Sequence, residues 1–299
     1  MHFDPAQDRV YVSHKNEVTV VDGSSGALIG RIQGIAGSHD VATVPALRRG
    51  YADNGDTGEV TVFDLATLRT IAKIPADKDA DAMVYDPATR RLVVGSGDAR
   101  DASIIDVATG KRVAVVPLGG TAEGIALDGV GSAFINVDTA NEIVRLNLRT
   151  DRIDARWGTP GCEAPHGLAI DAAAKRLFAS CRGRMIVIDA TDGKPLALLP
   201  IGAGTDSAAF DPVRKLAFSA NKDGTLSIVA EQGDDHFVSL GNVATAPGAK
   251  NMALDPRTGR IFLVTADVTA EHPPTRPGGP PDYAFAPRSV KLLILDPSR

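Results

Sequence analysis

One sequence repeat constrains the fold of this chain more than any other feature. Each copy starts with a polar or charged residue and continues through a short, mostly apolar strand that in most copies ends at Asp, as in residues 81–86 (DAMVYD) and 123–128 (EGIALD). The first positions of the six copies, called the leading residues, are His39, Asp81, Glu123, His166, Asp206 and Lys250. They are 42, 42, 43, 40 and 44 positions apart, and such a period is typical of a radial β-repeat.

Each repeat contains four short strands separated by turns rich in Gly and Pro, of which the chain has 30 and 19. The inner strands are more apolar than the outer one, and no helical periodicity is sustained. This pattern predicts an all-β protein, a seven-bladed β-propeller of four-stranded antiparallel blades forming a single domain over 1–299. The predicted blades span residues 2–34, 35–76, 77–119, 120–161, 162–202, 203–248 and 249–299.

The first and last blades are predicted to be incomplete where they meet. The first copy starts near the end of its innermost strand, and the seventh stops after its third strand, residues 292–296. We therefore expect about 20 residues upstream of Met1 to supply one strand and its loop in the native protein. The alternative is a three-stranded last blade whose edge is covered in another way.

Charge and hydropathy exclude several kinds of partner. The net charge is −5 and the sequence has no run of Lys or Arg, so a nucleic-acid surface is not expected. Apolar runs stay shorter than the roughly 18 residues that a membrane span requires. We expect a monomer that binds a small molecule.

Three sequence blocks resemble a known repeat family. They are residues 9–13 (RVYVS), 18–22 (VTVVD) and 225–229 (TLSIV), and they are similar to the YVTN-type (YncE-like) β-propeller repeats of bacteria. The resemblance covers nearly the whole chain and implies the propeller fold. It also implies a periplasmic or secreted protein, whose signal peptide would lie upstream of this sequence.

The leading residues are candidates for a functional site, because innermost strands of a propeller begin around the central channel. His39, His166, Asp81, Glu123 and Asp206 are the predicted ligands of a divalent metal ion, whose identity the sequence leaves open. The alternative is a metal-free polar channel that holds ordered water.

A metal at this position would favour a hydrolase or lyase acting on a small molecule. The metal would act as a Lewis acid, Glu123 or Asp206 as a base, and Lys250 would stabilise developing negative charge. The alternative is a non-catalytic propeller that binds a ligand or a protein, since this fold supports both.

The two cysteines, Cys162 and Cys181, lie in the same predicted blade and at the same end of it. A disulfide between them is the favoured prediction and would indicate an oxidising compartment. Two buried thiols, or thiolate ligands assisting His166, are the alternatives.

Residues 267–288 interrupt the last blade. The segment contains Pro273, Pro274, Pro277, Pro280 and Pro281 with Gly278 and Gly279, which predicts neither helix nor strand. It is either a lid over the leading residues, with His272 and Tyr283 contributing to specificity, or a mobile surface excursion.

Two further sets of polar residues recur. Aspartates at the ends of innermost strands are predicted to stabilise turns: Asp4, Asp86, Asp128, Asp171, Asp211 and Asp255. Loops between second and third strands place further polar residues on the face of the leading residues: His14, Asn54, Asp98, Asp138, Asn221 and Asp223.

Overall fold

A computed structural model describes residues 1–233, 235–275 and 279–297. The chain divides into two compact units, Met1–Trp157 and Gly158–Arg299. Blades 1 to 4 belong to the first unit and blades 5 to 7 to the second, with the last strand of blade 4 ending at the boundary.

The first unit consists of antiparallel sheets formed by strands that are consecutive in the chain. Its strands are β1 (His2–Asp4), β2 (Arg9–Asp22), β3 (Leu28–Ser38), β4 (Val41–Val44), β5 (Arg49–Asn54), β6 (Glu59–Asp64), β7 (Thr70–Pro75), β8 (Ala80–Asp86), β9 (Arg91–Ser96), β10 (Asp101–Asp106), β11 (Lys111–Pro117), β12 (Ala122–Leu127), β13 (Ser132–Val137), β14 (Glu142–Asn147) and β15 (Arg152–Gly158). Short 3₁₀ turns occupy Pro45–Leu47 and Asp138–Ala140.

Blade 1 differs from its neighbours because β2 is one continuous strand of 14 residues. The first half of β2 pairs with β1, and the second half pairs with β3. Lys15, at a φ of 45°, separates the two halves. The two halves thus take the places that second and third strands occupy in the other blades.

The second unit repeats the arrangement. Its strands are β16 (Leu168–Asp171), β17 (Arg176–Cys181), β18 (Arg184–Asp189), β19 (Pro195–Pro200), β20 (Thr205–Asp211), β21 (Leu216–Asn221), β22 (Thr225–Glu231), β23 (Phe237–Ala244), β24 (Asn251–Leu254), β25 (Ile261–Thr265), β26 (Val268–His272), β27 (Asp282–Phe285) and β28 (Lys291–Leu295). Blades 5 and 6 have four strands, and the sheet of blade 7 has the order β24-β25-β28.

Burial explains why the inner strands are more apolar than the outer ones. The second strands β5, β9, β13, β17 and β21 are buried at every position except the first. A strand covered on both faces must be apolar on both faces. The outermost strands β7 and β11 expose most of their residues, so their sequences are more polar.

The recurring aspartates stabilise turns, as predicted. Five of them are buried at the ends of their innermost strands: Asp4, Asp86, Asp171, Asp211 and Asp255. In blade 5, for example, Asp171 Oδ1 accepts the backbone N–H of Ala173 at 2.9 Å and that of Ala174 at 3.1 Å. Asp128, which is half-buried, accepts the N–H groups of Val130 and Ser132 in the same way.

The prediction of no strand in residues 267–288 is wrong. Strands β26 and β27 pair as an antiparallel hairpin, with His272 opposite Asp282 and Glu271 opposite Tyr283. The described prolines of this segment lie outside both strands: Pro273, Pro274, Pro280 and Pro281 are in the connection between them, and Pro287 follows β27. Proline disrupts a strand only where it takes a position in the hydrogen-bonded ladder. The residues before and after the prolines can therefore still pair as strands. Pro277 and Gly278 lie outside the described residues.

The predicted disulfide is present. Cys162, just before β16, is bonded to Cys181, the last residue of β17, and their Cα atoms are 5.5 Å apart. Both residues are buried. The bond joins the two ends of the segment that contains His166.

Thiol chemistry can test this bond. The denatured, unreduced protein should titrate close to zero free thiols, because both cysteines are paired. The Cys162→Ser/Cys181→Ser double variant should lose about 3 kcal/mol of unfolding free energy in a urea titration, the expected contribution of closing a loop of this length. Two reactive thiols in the wild-type protein would contradict the assignment.

Candidate functional site

In three blades the leading residue lies in a β-bulge at the start of the innermost strand. In β8, Ala80 pairs with Ser96 and Ala82 with Gly95, so that Asp81 is left out of the ladder. Glu123 of β12 and Asp206 of β20 are omitted from their ladders in the same way. A bulge turns the extra residue away from the regular alternation of the strand. The chain can therefore place a charged residue there without burying it in the core.

In the first unit, His39 contacts both its own blade and the next one. Its Nδ1 donates a hydrogen bond to the carbonyl of Ala80 at 3.0 Å and lies 3.5 Å from Asp81 Oδ1. Asp53 Oδ2 is 3.7 Å from the same nitrogen. The interaction with Asp53, together with the Ala80 carbonyl and the charge of Asp81, outweighs burial and raises the pKa of His39 to about 9.

Asp53, which the sequence analysis did not identify, holds the backbone around His39 in place. It is fully buried at the end of β5, and its carboxylate accepts hydrogen bonds from the backbone N–H groups of His39 and Asp40 and from the hydroxyl of Ser38. A buried carboxylate needs this number of donors. The available signal was an acidic residue near the end of the second strand of a blade, a strand that the repeat predicts to be buried.

A second acidic pair lies in blade 4, also in the first unit. Asp138 begins the 3₁₀ turn between β13 and β14, and its backbone N–H donates to Thr121 at 3.1 Å, next to the start of β12. Carboxylate oxygens of Glu123 and Asp138 lie within 4.8 Å of one another. Asp138 Oδ1 is buried and accepts no hydrogen bond from any described residue. The sequence marked Asp138 only as one of several polar loop residues.

In the second unit, Asp206 and Lys250 form an ion pair between the innermost strands of blades 6 and 7. Lys250 Nζ donates to Asp206 Oδ1 at 2.9 Å. Ser207, which follows Asp206, donates its hydroxyl to the Lys250 carbonyl and accepts the N–H of Met252. The leading residues of neighbouring blades are thus held together by side-chain and backbone contacts.

His166, the leading residue of blade 5, is half-buried just before β16, and its backbone N–H donates to Ser180 at 2.9 Å. The next position admits only glycine, since a Cβ on Gly167 would lie 2.5 Å from the backbone nitrogen of Ala208 in β20. Close packing of β16 on β20 therefore fixes the backbone beside His166.

The β26–β27 hairpin contacts loops next to the start of β20. Lys222 pairs with Asp282 at 2.5 Å, and a Cβ on Gly204 would meet Pro280 at 2.5 Å. Gly204 is two residues before Asp206, so the hairpin lies on the end of blade 6 that bears its leading residue. The roles of His272 and Tyr283 in a lid stay predictions.

The structure thus places all six leading residues at or just before the starts of innermost strands, where the repeat predicted them. It shows two acid–base contacts, His39 with Asp81 and Asp206 with Lys250. A protonated imidazole cannot bind a metal, so His39 would first have to lose a proton. Metal binding by the leading residues stays a prediction.

Comparisons with known proteins identify the fold. No protein-family model matches this chain, and no curated protein matches it. Among solved structures it is similar to hydrazine synthase of Kuenenia stuttgartiensis, with a TM-score of 0.76 and 15% identity over 88% of this chain and 90% of that one. It is also similar to a chain in a crystal structure of the mitotic checkpoint complex, with a TM-score of 0.75 and 14% identity over 88% of this chain and 84% of that one.

The fold is a seven-bladed β-propeller. This confirms the predicted fold class. Identities this low show the fold alone, and the resemblance to YVTN-type repeats stays a prediction. Among the described residues, no helix has the length and apolar character to cross a membrane.

The contacts of His39 predict a pH dependence of stability. A folded-state pKa of about 9 lies above the ordinary value of 6.5. The stabilisation is therefore complete below pH 6.5 and is lost as the pH rises through 9. The difference in unfolding free energy between wild type and His39→Gln should be largest at pH 6 and should shrink by pH 10, as measured by urea denaturation.

His236→Gln serves as a matched control, because His236 is exposed and distant in sequence from Asp53. Its difference from wild type should change less between the two pH values. A difference for His39→Gln that stays constant across this range would contradict the ion-pair assignment.

Proposed function

We propose that this propeller binds a divalent cation through Glu123 and Asp138 and uses it in hydrolysis or elimination on an oxygen-rich small molecule. The observation that carries the proposal is the buried Oδ1 of Asp138. No described residue donates a hydrogen bond to it, and it lies beside the carboxylate of Glu123. A buried polar atom of this kind requires a partner.

Electrostatics favours a cation as that partner. Two carboxylates whose oxygens lie within 4.8 Å of one another repel each other. A cation between them converts this repulsion into attraction. Carboxylate oxygens suit hard cations such as Mg²⁺, Ca²⁺ and Mn²⁺.

Two protein ligands leave most of the coordination sphere of such a cation to water or to a substrate. An open sphere is what Lewis-acid catalysis requires, because the substrate oxygen must reach the metal. The roles predicted for Asp206 as a base and for Lys250 as an electrostatic group stay predictions, and these two residues form an ion pair with each other at 2.9 Å.

A second candidate is a non-catalytic propeller that binds an organic ligand. The ion pairs favour it, because Asp81 and Asp206 already have cationic partners and are less available to a metal. The two candidates differ in their requirement for a cation, so chelation distinguishes them.

We also propose that the protein acts outside the cytoplasm, in the periplasm or as a secreted protein. The disulfide supports this location, since such bonds persist in oxidising compartments.

Cation binding can be measured directly. Untagged protein, stripped with a chelator and titrated with Mn²⁺ in a calorimeter, should bind one ion per chain. Glu123→Gln and Asp138→Asn should each weaken binding at least tenfold, because each removes one of two anionic ligands. Activity against a panel of lactones, esters and acidic polysaccharides should be lost in EDTA and restored by the cation.

Asp98→Asn is the matched control. Asp98 is an exposed acidic residue in the corresponding loop of blade 3, between β9 and β10, and its substitution should leave Mn²⁺ affinity unchanged. Absence of Mn²⁺, Mg²⁺ and Ca²⁺ binding would contradict the proposal. Binding of a cation without turnover of any substrate would contradict its catalytic part and favour the second candidate.

A further inference from the structure

The end of blade 3 that bears Asp81 contains two buried polar atoms whose hydrogen-bonding needs the described residues do not meet. Ser96, the last residue of β9, is fully buried, and its Oγ has no described partner. Asp101, the first residue of β10, is half-buried, and its Oδ1 is buried and has no described donor. Buried polar atoms require partners, so both oxygens point to a bound guest.

The β-ladder places these two residues opposite each other. Ser96 pairs with Asp101 across β9 and β10, and with Ala80 of β8 on its other side. Opposite residues of an antiparallel pair lie on the same face of the sheet, with Cβ atoms about 4.5–5.5 Å apart. The two side chains are therefore close neighbours that do not bond to each other directly. One small guest between them can contact both oxygens.

Two other blades show which group fills this position when the protein supplies it. The second strands of blades 2 and 6 end at Asn54 and Asn221, where blade 3 has a serine. Asn54 Nδ2 donates to Thr61 Oγ1 at 2.8 Å and to the Glu59 carbonyl at 3.3 Å. Asn221 Nδ2 donates to Ser227 Oγ at 2.9 Å. In both blades a side-chain amide thus bridges the end of the second strand and the start of the third.

Blade 3 keeps the hydroxyl partner of this amide but lacks the amide itself. Ser103 holds the strand position of Thr61 and Ser227, is buried, and donates its Oγ to Asp77 Oδ2 at 3.1 Å. Serine is shorter than asparagine by the amide group, so the donor and its volume are both absent at Ser96. In blades 4 and 5 neither corresponding position carries a hydroxyl or an amide, and no such partner is required there.

The charges beside the two oxygens favour a cation as the guest. Asp77 lies near Asp101, but it is neutralised by Arg112, whose Nη1 donates to Asp77 Oδ2 at 2.7 Å. Among the described residues, no side chain forms an ion pair with Asp101. Burial and the charge of Asp77 raise the pKa of Asp101, and Arg112 offsets this only in part. A carboxylate of this kind is stabilised by pairing with a cation or by metal coordination.

The other charged residues of the flanking loops leave this balance unchanged. Lys78 and Arg100 contribute two positive charges, and Asp79 and Asp98 contribute two negative ones. The site therefore has one uncompensated negative charge and a neutral hydroxyl. A monovalent cation balances that charge, whereas a divalent cation would leave an excess of positive charge in a buried position.

From this geometry we infer that blade 3 binds a monovalent alkali cation between Ser96 Oγ and Asp101 Oδ1. The ion takes the place that the side-chain amide has in blades 2 and 6. Asp101 is half-buried, so the ion can reach the site from solvent. The site lies beside Ala80, next to the β-bulge at Asp81, and is separate from the proposed divalent-cation site of blade 4.

Urea denaturation in different salts tests the inference. Wild-type protein is unfolded in NaCl, KCl or tetramethylammonium chloride at equal ionic strength, with EDTA present to remove divalent cations. At ten times its dissociation constant, the bound alkali ion should lower the unfolding equilibrium constant about tenfold. Tetramethylammonium should give no such effect, because it is too large to enter. The NaCl and KCl series show which of the two ions the site prefers.

Two variants separate this site from a general effect of salt. Ser96→Asn rebuilds the amide of blades 2 and 6 and should abolish the difference between the alkali salts and tetramethylammonium chloride. Asp101→Asn removes the anionic ligand without adding volume to the core and should do the same. Glu59→Gln is the matched control, because Glu59 starts the third strand of blade 2, where Asn54 supplies the amide. It should retain the wild-type difference.

Sodium-23 relaxation gives a direct readout of binding. Wild-type protein and Glu59→Gln should broaden the sodium resonance, and added KCl should reverse the broadening by competition. Ser96→Asn and Asp101→Asn should broaden it less.

Equal wild-type stability in all three salts would overturn the inference and would leave a bound water as the guest. Retention of the alkali effect in both Ser96→Asn and Asp101→Asn would also overturn it. Neither outcome bears on the site of Glu123 and Asp138, which is tested with Mn²⁺.

Discussion

Five of the seven blades depend on a buried carboxylate at the end of the innermost strand. Asp4, Asp86, Asp171, Asp211 and Asp255 accept backbone N–H groups from the turn that follows, which fixes the direction in which the second strand returns. Leaving such donors unpaired in a buried turn costs about 1–3 kcal/mol for each group. The recurrence of this residue is therefore explained by folding. Asp171 shows how one copy can acquire a second set of contacts, with Lys215 and Glu231, without losing the first.

At the opposite ends of these strands, β-bulges allow the residue to vary from blade to blade. Asp81, Glu123 and Asp206 are excluded from their ladders, so each blade can vary its leading residue without changing its core. Neighbouring blades then combine these residues into pairs, such as His39 with Asp81 and Asp206 with Lys250. One end of the repeat is thus constrained by folding, while the other can vary from blade to blade.

The parts predicted from the sequence are those that recur within one repeat. The position of each residue within the sequence repeat was enough to predict the strands, the turn role of Asp171 and the positions of the leading residues. The pairing of Cys162 with Cys181 followed from their position at one end of a single blade.

The features that the sequence did not predict depend on contacts between residues whose proximity the repeat pattern does not indicate. Asp53 is important because three donors from residues 38–40 converge on it. Glu231 has a raised pKa because it is buried and shares a side-chain hydrogen bond with Asp171, 60 positions earlier in the chain. The β26–β27 hairpin was missed because proline is disfavoured in strands, whereas the described prolines of residues 267–288 lie outside β26 and β27.

The disulfide also has a mechanical consequence. Cys162 and Cys181 are separated by 19 positions, and a fully extended chain of that length spans about 65 Å. With the bond intact, the two Cα atoms stay 5.5 Å apart even if the blade around them unravels under load. A chain stretched between its ends would thus be about 60 Å shorter when oxidised than when reduced, and the segment containing His166 would bear no tension.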